Sequence, residues 1–296
     1  MALPERGRVL GIDVGWSHAR ATTGLCVLAW GAGGLTWTVA RARGKESDRR
    51  TVLRRLLGGD ASPVLAVAVD GPLRPALACE ASYRAADALL SRGRFAKRGK
   101  VAQTNSGSGR RLHEEACRLT ALALEETTVA PAHHACAIHD RAVVEAFPNL
   151  FLGVLCDDAD YPDRPRRARQ WTDDLYELEG PRTQMRRRLA GLLRALTGRR
   201  AGAGGAARRA MAGTWDLRDH DERAGLVCAL AALCVVAGRF VAVGSPKDGW
   251  IVLPPADHWG RGPGRERWAW RVLQDNLVAV AADFPDAAVA RHGDAT

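Results

Sequence analysis

No stretch of about twenty consecutive apolar residues occurs in the 296-residue chain, so no membrane-spanning helix is expected. Its opening, Met1 to Arg8, has no apolar core of the kind a secretory signal needs. Cysteine is unpatterned: Cys26, Cys79, Cys117, Cys136, Cys156, Cys228 and Cys234 form an odd set with no Cys-x-x-Cys pair, against both a disulfide framework and a zinc ribbon. No internal repeat or break in composition marks a domain boundary. The expectation is therefore one cytoplasmic globular domain over 1–296, and an apolar content of 47% supplies a full core.

What the chain has in excess is basic charge, with 43 Lys and Arg against 33 Asp and Glu, a net +10. That surplus suits a polyanionic partner such as nucleic acid, although much of it is arginine in Ala/Gly-rich surroundings. It is densest in two insertions, a flexible basic loop near 92–111 and an Arg/Gly/Ala-rich helical stretch near 160–215. In the first, Arg94, Lys97, Arg98, Lys100 and Asn105 are candidate phosphate contacts; a merely solvated basic loop has the same composition.

Apolar patterning gives the fold. Val9–Val14, Thr22–Trp30 and Leu35–Ala40 are strand-like and separated by short turns, as in an antiparallel meander. A helix from Ser47 to about Leu57 carries leucines and Val52 on one face and arginines on the other. The continuous apolar run Val64–Val69 then reads as a strand buried on both faces, and a strand reached through a helix is expected to run parallel to an earlier one. Asp13 and Asp70 would then stand at the carboxyl ends of neighbouring strands, where open α/β sheets place their sites. Helices over Glu80–Ser91 and Leu112–Glu126 follow, then a short strand, Ala142–Phe147, that carries Glu145. Asp219, Asp221 and Glu222 open an apolar helix, Arg223–Gly238. Phe240–Val243, Trp250–Leu253 and a helix over Trp268–Ala282 complete the chain.

Asp13, Asp70, Glu145 and the Asp219/Asp221/Glu222 group stand where acids are costly or spatially special. An ionised Glu145 among Val143, Val144, Ala146 and Phe147 has to be paired, hydrogen-bonded or metal-bound if its strand is central. Each acid has an alternative reading: a turn start for Asp13, an edge strand or Arg141 for Glu145, a helix N-cap for Asp221. Taken together, three antiparallel strands followed by parallel ones in the order 3-2-1-4-5, flanked by helices, form a mixed α/β sheet of ribonuclease H-like type.

Gly11-Ile-Asp-Val-Gly15, Val69-Asp-Gly-Pro72 with Cys79-Glu80 and Tyr83-Arg84, Val144-Glu-Ala-Phe-Pro148, His220-Asp-Glu-Arg223 with Cys228-Ala-Leu230, and Pro246 to Pro254 resemble an uncharacterised bacterial and archaeal family of predicted ribonuclease H-like nucleases. The resemblance implies a two-metal phosphodiesterase. Asp13 would bridge two Mg²⁺ or Mn²⁺ ions, Asp70 and Glu145 would hold one, and Asp221 the other. The residue types suit that chemistry, because hard cations prefer carboxylate oxygens. One departure concerns the second ion. A further aspartate expected three residues after Asp221 is replaced by Ala224, leaving Asp221 alone or with Glu222 as substitute.

His133, His134, Cys136 and His139 look like soft-metal ligands but lack a second ligand pair of recognisable spacing, so ordinary loop residues are expected there. Trp16 lies beside Asp13 and either stacks on a base or belongs to the core. The expected activity is metal-dependent cleavage of DNA or RNA. Two alternatives stand beside it: a catalytically reduced nucleic-acid-binding protein of the same fold, and an actin-like phosphotransferase. The last is suggested by Asp13-Val-Gly15 with Ser17, but no duplicated half or second phosphate loop accompanies it.

Overall fold

The computed structural model describes residues 3–32, 34–58, 62–74, 84–97, 106–134, 136–137, 140–160, 175, 178–198, 217, 219–264 and 266–293. One mixed sheet of eight strands organises them, in the order β3-β2-β1-β4-β5-β7-β6-β8. The first half is the expected one. β1 (Gly7–Asp13), β2 (Thr23–Gly31) and β3 (Gly34–Ala42) form an antiparallel meander. α1 (Glu46–Leu57) then returns the chain so that β4 (Val67–Asp70) lies parallel to β1, and β5 (Val143–Ala146) lies parallel to β4.

The second half extends the sheet beyond that expectation. β7 (Gly249–Leu253) joins β5 in parallel, β6 (Phe240–Ser245) pairs with it antiparallel, and β8 (Ala288–His292) closes the edge. Further helices among the described residues include α2 (Ala85–Leu90), α3 (Gly107–Glu126), α4 (Pro148–Gly153), α5 (Glu179–Thr197), α6 (His220–Val236) and α7 (Trp268–Val280). None among the described residues is long and apolar enough to cross a membrane.

Part of the presumed basic loop is regular. Gly93–Lys97 forms a 3₁₀ turn, and Ser106 caps α3 by accepting from the Gly109 amide at 3.0 Å, which puts Arg110 and Arg111 on a helix. The composition suggested a loop because Ser-Gly-Ser-Gly is weak in helix propensity, whereas the cap and the buried face of α3 outweigh it.

The two faces of the sheet are covered differently. Leu10, Ile12, Val67, Val69 and Val143 pack with α1 and α3. Val9, Ala68, Val144 and Ala146 share the opposite core with α6, which is buried almost all round. α6 lies unusually close to β1 and β2 because glycines meet it. A Cβ on Gly11 would stand 2.2 Å from the Gly225 oxygen and the Ala229 nitrogen, and one on Gly24 1.9 Å from the Asp221 oxygen. Gly24→Ala is accordingly expected to lower the urea midpoint, on the overpacking scale of about 1–3 kcal/mol. An unchanged midpoint would contradict this backbone-to-backbone seating of the helix.

Candidate metal centre

Residue parity decides which acids meet. Side chains alternate across a strand, and Asp13 is the register partner of Asp70. Both project from the face that Val9 and Ala68 share with α6. They end adjacent parallel strands and their carboxyl groups hydrogen-bond each other. Asp221 in the first turn of α6 contributes the third charge to this end of the sheet.

The N-cap role that Asp221 could have filled belongs to Asp219. Its Oδ1 accepts from the amides of Asp221 at 3.0 Å and Glu222 at 3.2 Å, and its Oδ2 meets Arg41 Nη1 at 2.5 Å. The carboxylate of Asp221 is thereby left for the cluster. Glu222 contributes its amide to the cap and its charge to the surroundings of Asp221. Asp219→Ala should cost about 1 kcal/mol in chemical unfolding, the usual value of an N-cap, while leaving divalent-ion binding in place. Loss of ion binding in that variant would mean that Asp219 takes part in holding the ion.

Electrostatics mark the pair as under strain without a cation. Asp13 is 9% exposed, and burial, then the charges of Asp70 and Asp221, raise its carboxyl well above the ordinary range. Burial pushes Asp70 up to about 7, with the hydrogen bond from Asp13 pulling it back. Asp221 rises to about 6 through burial and Asp219, opposed by Arg41 and Arg20. Two buried carboxyls in contact cannot both ionise cheaply, so they hold either a shared proton or a cation. Beneath them the Cys228 thiol is itself raised by burial and by both aspartates, so it stays neutral. The donor set offered is all oxygen, the preference of Mg²⁺ and Mn²⁺.

Glu145 is not in this group. Its register partner is Val69, so its side chain leaves the opposite face of the sheet. There it is 1% exposed, and both its oxygens accept from Arg84 Nη1, at 2.9 and 2.8 Å. Its Oε1 also accepts from the amides of Leu73 at 2.8 Å and Arg74 at 3.2 Å. The sequence showed that Glu145 had to be satisfied but not by what; Arg84, the first residue after a stretch outside the described residues, carries no periodic signal pointing to it. Among the described residues no three His, Cys, Asp or Glu side chains are grouped as a ready-made ion cage. Asp13 and Asp70 would hold an ion directly, with Asp221 as their neighbour.

Ala224 is buried beside Arg223 and Val227 on α6, against Pro148, Asn149 and Leu152 of α4. Trp16 is half-buried, with the Arg111 guanidinium 5.5 Å from its ring centre, so a cation already occupies one approach to the indole. Arg94 is held by Asp158, whose Oδ1 accepts at 2.9 Å and whose carbonyl accepts at 2.9 Å. The Lys97 side chain, Arg98, Lys100 and Asn105 lie outside the described residues, as do Cys79, Glu80 and Tyr83.

Of the histidine cluster, His139 is outside the described residues; Cys136 Sγ lies 3.9 Å from His292 Nε2 of β8, and His134 packs edge-on against Phe240. No family model matches the chain, and neither a curated protein nor a solved structure matches it at a significant level.

Proposed function

We propose that the protein is a divalent-metal-dependent phosphodiesterase of ribonuclease H-like fold that cuts DNA or RNA. One observation carries the reading: Asp13 and Asp70, buried and in register at the carboxyl ends of neighbouring parallel strands, press their carboxyl groups together beside Asp221 at the head of α6. The 3-2-1-4-5 order of the first five strands supports the fold comparison, and the net charge of +10 supports a polyanionic substrate.

Asp13 and Asp70 would hold the ion, with Asp221 as a neighbouring negative charge. Bound there, Mg²⁺ or Mn²⁺ would acidify a water and neutralise charge on the phosphate. The chain's own groups do the rest. Arg41, paired with Asp219, and the exposed Arg20 lie close enough to Asp221 to lower its carboxyl and would add positive charge for a phosphate near the site. The half-exposed Trp16, with Arg111 over it, is the aromatic surface on the Asp13 side.

The test is cleavage of labelled single- and double-stranded DNA and RNA with Mn²⁺, in parallel with Asp13→Asn. Cleavage that survives that substitution would remove the site. A second reading, a nucleic-acid binder of this fold without turnover, is favoured by Ala224 and by Arg84 occupying Glu145, since both reduce the acids available. It predicts salt-sensitive binding with no product.

A further inference from the structure

Two buried arginine–glutamate pairs lie on the α1/α3 face of the sheet, behind the acid cluster, and each holds the chain just downstream of one aspartate. Arg49 of α1 is 3% exposed, and Glu115 of α3 accepts from its Nη1 at 2.7 Å. Arg49 Nη2 donates to the Gly15 carbonyl at 2.6 Å, which the Thr23 hydroxyl also reaches at 2.7 Å, fixing the turn two residues after Asp13. The second pair, Arg84–Glu145, grips the Leu73 and Arg74 amides, three and four residues after Asp70. We infer that both pairs are positioning devices for Asp13 and Asp70, and that Glu145 serves the site in this way and not as an ion ligand; the inference rests on the metal centre proposed above.

Three observations support it. Buried ion pairs are often replaceable by apolar residues without loss of stability, so their presence asks for another purpose. Here each pair makes main-chain hydrogen bonds that an apolar pair could not make. Next, Glu145 Oε1 already takes three donors, Leu73 N, Arg74 N and Arg84 Nη1, and Arg84 Nη1 also meets Oε2 at 2.8 Å, so a cation would have to enter against a guanidinium that spans both oxygens. Finally, Gly71 and Pro72 border a cavity of about 140 Å³ shared with Phe147 and Ile251, so packing alone does not fix the segment after Asp70. Arg84 is anchored in turn by Asp87 and by the Asp248 carbonyl at 3.2 Å, and Asp248 Oδ2 accepts from the Ala85 amide at 2.8 Å.

The test uses the whole chain and Mn²⁺ alone as probe, with amide exchange read in the same samples. Arg84→Met/Glu145→Leu keeps an apolar fill and removes the grip. The Leu73 and Arg74 amides should then exchange at least tenfold faster, Mn²⁺ should bind about 10–100-fold more weakly, the scale of losing a support behind a metal ligand, and any cleavage should lose kcat with KM little changed. Glu145→Gln, which still accepts from the two amides, should retain Mn²⁺ binding and lose less than the double variant. Arg49→Met, which leaves Glu115 paired with Arg118 at 2.6 Å, repeats the test at the Gly15 turn should the double variant not fold. Loss of Mn²⁺ binding in Glu145→Gln as complete as in Asp13→Asn would make Glu145 a ligand and overturn the inference. Wild-type exchange and affinity in the double variant would overturn it too. A wild-type protein that binds no Mn²⁺ would remove the metal centre itself, while the exchange rates at Leu73 and Arg74 would still decide whether the pair holds the segment.

Discussion

Asp13→Asn is expected to abolish Mn²⁺-dependent cleavage, by about 10³-fold or more, and at the same time to raise the melting temperature of the metal-free protein at pH 8. The loss follows from removing one preorganised charge in a site shielded from water. The gain follows from the pair. Burial and neighbouring charge hold Asp13 well above the carboxylate range and push Asp70 to about 7. A carboxyl whose folded value is raised contributes stability that is complete below its unfolded value of about 3.9 and is lost as pH climbs through the folded value. At pH 8 the metal-free pair is therefore at its least favourable, and neutralising one member relieves it. A rise of roughly 3–8 °C in a melting scan is expected for one to a few kcal/mol. A lower melting temperature together with lost activity would instead mark Asp13 as a structural turn residue.

The second large effect is the linkage between divalent ions and pH. An ion at Asp13 and Asp70 has to displace the proton they share, and Asp221, raised to about 6, has to ionise as well. Mg²⁺ or Mn²⁺ should thus stabilise the protein strongly at pH 8 and hardly at all at pH 5. At a concentration one hundred times the dissociation constant the stabilisation is about 2.7 kcal/mol, or roughly 5–10 °C for a chain of this size. Chelation should reverse it. Equal shifts at both pH values would place the ion elsewhere.

The first half of the sheet and its two aspartates were legible in the sequence because their signals are local. Strand-like runs in close succession give the β1–β3 meander, α1 turns Arg54 and Arg55 away from its leucines but buries Arg49 among them, against the expectation for that arginine, and the uniformly apolar run before Asp70 dictates a central strand whose end aligns with that of β1. Glu145 was legible only as a problem needing a solution. In a strand buried on both faces the alternation that would reveal parity is absent, and a shift of one residue moves a side chain to the other side of the sheet. That single step separates Glu145, opposite Val69, from Asp70, opposite Ala146.

The cap of α6 was ambiguous for a similar reason: Asp219, Asp221 and Glu222 are all suitable residue types, and only backbone geometry assigns the cap to Asp219. The β8 edge strand went unseen because Ala288–His292 is short and only half-buried, so it lacks a strong pattern. Gly11 and Gly24 read as ordinary strand glycines until α6 is seen lying against them.

The most direct test is a crystal of the protein soaked in Mn²⁺ at pH 8, with the anomalous signal mapped. The account predicts a peak between the Asp13 and Asp70 carboxyl groups, near Asp221, with oxygen contacts of about 2.0–2.3 Å and Glu145 still bound to Arg84. A map with no peak there and the two carboxyl groups still hydrogen-bonded to each other, or a peak coordinated by Glu145, would contradict it.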